Sequence, residues 1–166
     1  MRSKTLVFAF VAALALGLAI GACGGDDGPG ATSTGDGYTE VVRQMLQSVT
    51  TDTAPDQLVE LTRVIIPAGK GIASHTHPGP QVAVIVEGTL TYSVQQGSVQ
   101  VMRDSWSASP KPETIAAGGA VDLRPGDSLV ETPGMVHTAQ NSGSTPVVIY
   151  LSSLFPEGAP PSSPIE

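Results

Sequence analysis

The apolar and polar positions divide the chain into an N-terminal apolar run, a polar stretch and a long series of strand-like segments. From residue 58 onward, β-branched residues dominate. Residues 58–66 alternate in part and close on the turn Pro67-Ala68-Gly69. Residues 81–87 are nearly all Val, Ile and Ala, the composition of a strand covered on both faces. Gly88 marks a turn, and residues 89–95 return to alternation. Further strands are expected over 99–102, 113–116, 119–123, 128–131, 136–140 and 147–154. Pro110, Pro112, Pro125, Pro133 and Pro146 punctuate these segments where a ladder N–H would otherwise be missed. Residues 39–49 fit two patterns. Val41, Val42, Met45, Leu46 and Val49 mark one helical stripe, while Val41, Met45 and Val49 share a strand face, so a short helix or an irregular strand is expected.

Many short strands with Gly/Pro turns predict an all-β sandwich or barrel. The periodic region, residues 38–155, is long enough to bury one core and too short for two. Residues 156–166 read as a Pro/Ser-rich tail.

The N-terminal run has a different purpose. Arg2 and Lys4 precede a charge-free, Ala- and Leu-rich stretch that ends at Ala22-Cys23, the form of an export signal over residues 1–22. Leu18-Ala19-Ile20-Gly21-Ala22-Cys23 resembles the bacterial lipobox, in which the cysteine becomes the acylated first residue. The expectation is an exported protein, held at the extracytoplasmic face of a bacterial membrane through lipidated Cys23. Residues 23–37, rich in Gly and Asp, read as a flexible tether. With a single cysteine, the mature chain can form no internal disulfide.

The formal charge is −7, from 8 basic and 15 acidic residues, and removing Arg2 and Lys4 with no acid takes it to −9. The basic residues form no cluster, so a nucleic-acid footprint is absent.

All three histidines fall in two short pieces, His75-Thr76-His77 and His137. On an extended chain His75 and His77 project to the same side, about 6 to 7 Å apart at Cα, from where two imidazoles can converge on one ion. His137 comes from a strand distant in sequence, expected across the barrel from that pair. A rigid barrel holds such ligands better than a loop does.

At these residues the chain resembles the cupin family. The first cupin motif is carried by Gly69, His75, His77, Gln81 and Gly88, with every spacing kept and Gln81 standing where the family usually has glutamate. The second is carried by Gly126, Thr132, Gly134, His137 and Asn141, with Thr132 in the usual proline position. The stretch between the motifs is long, with an excess over residues 95–119 that contains Trp106. The resemblance spans about residues 58–155 and implies a double-stranded β-helix, or jelly roll. It also implies one divalent transition metal (Fe, Mn, Ni, Cu, Zn or Co) on His75, His77, His137 and Gln81, and pairing of two copies through sheet edges.

Three neutral imidazoles and a neutral amide leave the charge of such an ion uncompensated, which favours an anionic small molecule as the missing ligand. Gln81 otherwise hydrogen-bonds an imidazole or a water. Glu87 and Glu131, the acids beside the motifs, read as solvated strand ends rather than general bases. Ala83 and Ile85 share parity with Gln81 and are expected inside the barrel. Tyr92 reaches the pocket mouth or simply packs; Trp106 packs at a surface or edge, or roofs the cavity; Asn141 ties a loop. Three functions follow. The first is an oxygenase acting on a small polar or anionic organic molecule, and the second an isomerase or lyase in which the metal polarises a carbonyl. The third is a non-catalytic lipoprotein that captures a small ligand or metal, supported by the apparent lack of an acid or base beside the ligands.

Overall fold

The computed structural model describes residues 38–166. The export signal expected over 1–22, Cys23 and the tether over 23–37 lie outside the described residues. Twelve strands and no helix make up the described part. They are β1 (Val42–Thr51), β2 (Ala54–Ile66), β3 (Gly71–Thr76), β4 (Gln81–Glu87), β5 (Leu90–Gln96), β6 (Ser98–Arg103), β7 (Lys111–Ala116), β8 (Ala120–Leu123), β9 (Ser128–Glu131), β10 (Val136–Gln140), β11 (Val147–Pro156) and β12 (Ser163–Pro164).

The strands form two antiparallel sheets, in the orders β1-β2-β11-β4-β9-β6-β7 and β12-β3-β10-β5-β8. The alternation of each strand turns one set of side chains into a single core. Val64, Ile66, Ala83, Ile85, Leu129, Val147, Ile149 and Leu151 come from the larger sheet; Leu90, Tyr92, Val94, Leu123 and Ala139 come from the smaller. Ala83 and Ile85 are interior, as their parity requires.

Within residues 39–49 the chain forms a strand from Val42 onward and no helix. β1 pairs antiparallel with β2, and a register shift between Met45 and Gln47 breaks its alternation, which is why the segment also fits a helical stripe. The inter-motif excess forms β6 and β7, a hairpin that extends the edge of the larger sheet. Arg103 fixes its base, donating to Glu113 at 2.7 Å and to Asp127 at 2.8 Å. Trp106 is 65% exposed and lies against Gly126 on the surface, and no residue of 96–118 is among those lining the central cavity.

Gly69, Gly88, Gly126 and Gly134 all take positive φ, as turn residues do. Gly79 has a different role: a Cβ there would overlap the Leu154 carbonyl, so the turn after His77 packs directly on β11. Asn141 ties a loop. Its Nδ2 donates to the carbonyls of Ile66 and Thr145, and its Oδ1 accepts from the Gly143 amide. The tail does not run free of the barrel: Ser163 and Pro164 pair with Thr76 and His75, and the Ile165 amide donates to the Ser74 carbonyl.

Candidate metal centre

The three histidines meet inside the barrel. Their candidate ligand nitrogens all lie within 4.8 Å of one another, and all three side chains are buried. His75 is the penultimate residue of β3 and His137 sits opposite it on β10 as its Cα partner. His137 is therefore on the neighbouring strand of the same sheet and not across the barrel; only its separation in sequence suggested otherwise. His77 follows β3, and its ring stacks on Phe155 with centroids 6.1 Å apart.

Two rings are aimed by backbone carbonyls. Nδ1 of His75 donates to Ala73 and Nδ1 of His77 donates to Pro161, each at 2.7 Å. A carbonyl can only accept, so when neutral these rings carry their lone pair on Nε2, the state needed for metal ligation. Burial pushes the His75 imidazole down to about 4, helped by the neighbouring His137 and opposed by the Ala73 hydrogen bond. It is neutral at physiological pH.

Facing these rings is a carboxylate. Glu131 ends β9 with its side chain inside the barrel, 3.1 Å from Nε2 of His137 and 3.3 Å from Nε2 of His77. Tyr92 Oη donates to one oxygen at 2.9 Å and Gln81 Nε2 donates to the other at 2.8 Å. Glu131 is thus no solvated strand end; Glu87 is exposed, as that reading holds. The signal was available in the sequence: Glu131 shares a strand face with Leu129, which is core. Burial works to raise the Glu131 carboxyl, but hydrogen bonds and charge from His137 and His77 overcome it and hold the group below the usual carboxylate range. Tyr92 is driven the other way, first by burial and then by the Glu131 charge, and stays protonated.

Gln81 is buried opposite Glu131 in the β4–β9 register. Its Oε1 has no partner among the described residues, nor has Nδ1 of His137. The expected charge deficit at position 81 is therefore answered next door: Gln81 offers a free carbonyl oxygen, and the adjacent strand supplies the anion. Tyr92 both packs, its ring stacked on His137 with centroids 4.9 Å apart, and lines the cavity.

The donor set fits a divalent transition metal. His77 states this most directly. Its Nδ1–H is committed to Pro161, so a neutral ring would aim a lone pair at the Glu131 carboxylate 3.3 Å away. Either a proton on Nε2 or a cation bound between the two groups satisfies this contact, and the convergence of three imidazole nitrogens within 4.8 Å suits a cation. A cavity of about 60 Å³ opens at this point, lined by the site residues, by Arg43 of β1 and by aliphatic side chains such as Val64, Leu129 and Leu151. Burial lowers the Arg43 pKa, and Glu60 works against it.

No known family model matches the chain. A segment of 86 residues is 36% identical to human solute carrier family 12 member 9, over 51% of this chain and 9% of that protein, so the chain spans under a tenth of that relative's length. Among solved structures, the chain is similar to a cupin superfamily protein from Desulfitobacterium hafniense DCB-2. Identity is 13% over 72% of this chain and 81% of that one, with a TM-score of 0.48. A conserved protein with a double-stranded β-helix domain from Klebsiella pneumoniae is 25% identical, over 78% and 88%, with a TM-score of 0.41. Strand order and motif spacing assign the architecture: the described chain has the cupin fold, a double-stranded β-helix with three histidines gathered in its barrel.

Proposed function

We propose that this protein is a metal-dependent enzyme that moves a proton on a small anionic organic molecule. His75, His77 and His137 would hold the ion, with Gln81 Oε1 and Glu131 beside them. When bound, the ion would supply Lewis-acid polarisation of a substrate oxygen. Glu131 carries the reading, because its buried carboxylate lies 3.1 and 3.3 Å from the Nε2 atoms of His137 and His77, within reach of a proton on a molecule held beside them. Tyr92 and Gln81 each pin one of its oxygens, which fixes the direction from which it can take a proton. The same carboxylate removes the observation that favoured a purely binding role.

An oxygenase is the second reading. The aliphatic lining favours it, since it excludes water from the donor set. Metal-loaded protein in deuterium oxide, given short oxo acids, separates the two. Proton transfer predicts exchange at the carbon beside the carbonyl, slowed about 100-fold or more in Glu131→Gln. Oxygen uptake without exchange supports the oxygenase instead. The hydrophobic run ending at Cys23 supports export and lipid anchoring; Cys23→Ala is expected to leave the membrane fraction, and unchanged fractionation contradicts it.

A further inference from the structure

One charged group in the cavity has no part in holding the ion or moving the proton. Arg43 lines the cavity from β1, on the inner face that it shares with Val41. Its Cα partner is Val64, a core residue of β2. The side chain is 29% exposed. A guanidinium has five N–H donors. Among the described residues the Arg43 side chain makes one hydrogen bond, from Nη2 to Glu60 Oε2 at 3.5 Å. That is far longer than the ~2.8 Å of a charge-assisted bond. The same Glu60 oxygen accepts from Ser153 at 3.4 Å, so it is divided between two loose partners.

The register explains why these groups stand together. Glu60 pairs with Ser153, Ser153 with Gln81, and Gln81 with Glu131. The four residues form one straight row across β2, β11, β4 and β9. Glu131 stands at the histidine end of the row and Glu60, beside Arg43, at the other, and the Arg43 and histidine side chains reach inward to line one cavity. Besides these polar groups, the cavity is lined by aliphatic side chains such as Val64, Ile149 and Leu151. Its volume of about 60 Å³ limits the occupant to a small molecule.

We propose that Arg43 determines specificity by receiving the carboxylate of a short aliphatic monocarboxylate whose second oxygen function points toward the three histidines. The fork geometry and free donors of a guanidinium suit a carboxylate. A dicarboxylate is disfavoured, because its second anion would meet Glu131. The proposal rests on reading the histidines as a metal site, since the cation is what holds the second oxygen.

Calorimetric titration with pyruvate and with its uncharged methyl ester tests this, on the full chain with and without zinc. Wild-type protein is expected to bind the acid about tenfold or more tightly than the ester. Arg43→Gln is expected to abolish that preference while taking up zinc as the wild type does. Glu60→Gln, which frees the guanidinium from its competitor, is expected to tighten acid binding, and it carries the test if Arg43→Gln does not fold. Equal binding of both probes by the wild type, binding of neither, or a preference that survives Arg43→Gln overturns the proposal. If zinc does not bind but the Arg43-dependent preference is present, the metal reading fails and the carboxylate subsite stands.

Discussion

The two walls of the barrel carry opposite chemistry. The five-stranded sheet and the turn leaving it present three imidazoles and a phenol: His75, His77, His137 and Tyr92. The seven-stranded sheet presents acids, an amide and a hydroxyl in the row Glu60, Ser153, Gln81 and Glu131. Backbone carbonyls aim two of the imidazoles and leave their metal-binding nitrogens free, whereas Glu131 is tied to partners through both oxygens. The difference teaches a division of labour. One wall is poised to take a cation, and the other holds charge and protons in place around it.

The sharpest way to break that comparison is to remove the acid. Glu131→Ala leaves the Gln81 amide and Tyr92 hydroxyl buried without an acceptor. Stability of the metal-free protein is expected to fall by about 3 kcal/mol or more, measured by urea unfolding. His75→Ala is expected to cost far less stability while abolishing metal uptake. Equal stability losses from the two walls would erase the distinction.

Acid titration comes next. The folded His75 imidazole titrates at about 4, below its ordinary value of 6.5. The unfolded chain therefore binds the proton first, and the stabilisation present above pH ~6.5 is lost as pH falls through about 4. The slope reaches at most about 1.4 kcal/mol per pH unit. Glu131, also depressed, adds loss in the same direction at lower pH. Chemical unfolding of metal-free protein between pH 7 and 4 checks the sign; stability that rises toward pH 4 contradicts a neutral imidazole.

A smaller effect concerns the tail. Ending the chain after Glu157 removes the Pro161 carbonyl that aims His77 and the strand that pairs at His75. Metal affinity is expected to drop about 10- to 100-fold with the far-UV spectrum nearly unchanged. Undiminished affinity would show that the ring is aimed by Phe155 stacking alone.

Most of the fold was legible in the residues. The run Gln81–Glu87 and the strands Ser128–Glu131 and Val136–Gln140 carry the expected bounds. β1 was ambiguous because the shift at Met45 defeats a simple period. β3 carries Gly71, Ser74 and His75, so it lacks the apolar signature of a strand, and the His75-Thr76-His77 spacing is what marks it. Three of the site groups followed from spacing. Glu131 did not, since an acid one residue before Thr132-Pro133-Gly134 looks like a strand end entering solvent. Its parity with Leu129 is the signal that places it inside, and the β4–β9 register then sets it against Gln81. The use of Pro161 as an acceptor is a pairing between residues 84 apart, which no local pattern encodes.

Metal content of the protein with both His75→Ala and His137→Ala is the most direct test of the whole account. Elemental analysis after loading and desalting should find a single ion per wild-type chain and none in the double variant, with the far-UV spectrum preserved. Undiminished metal content in the double variant, or none in the wild type, would contradict a cation held between the two walls.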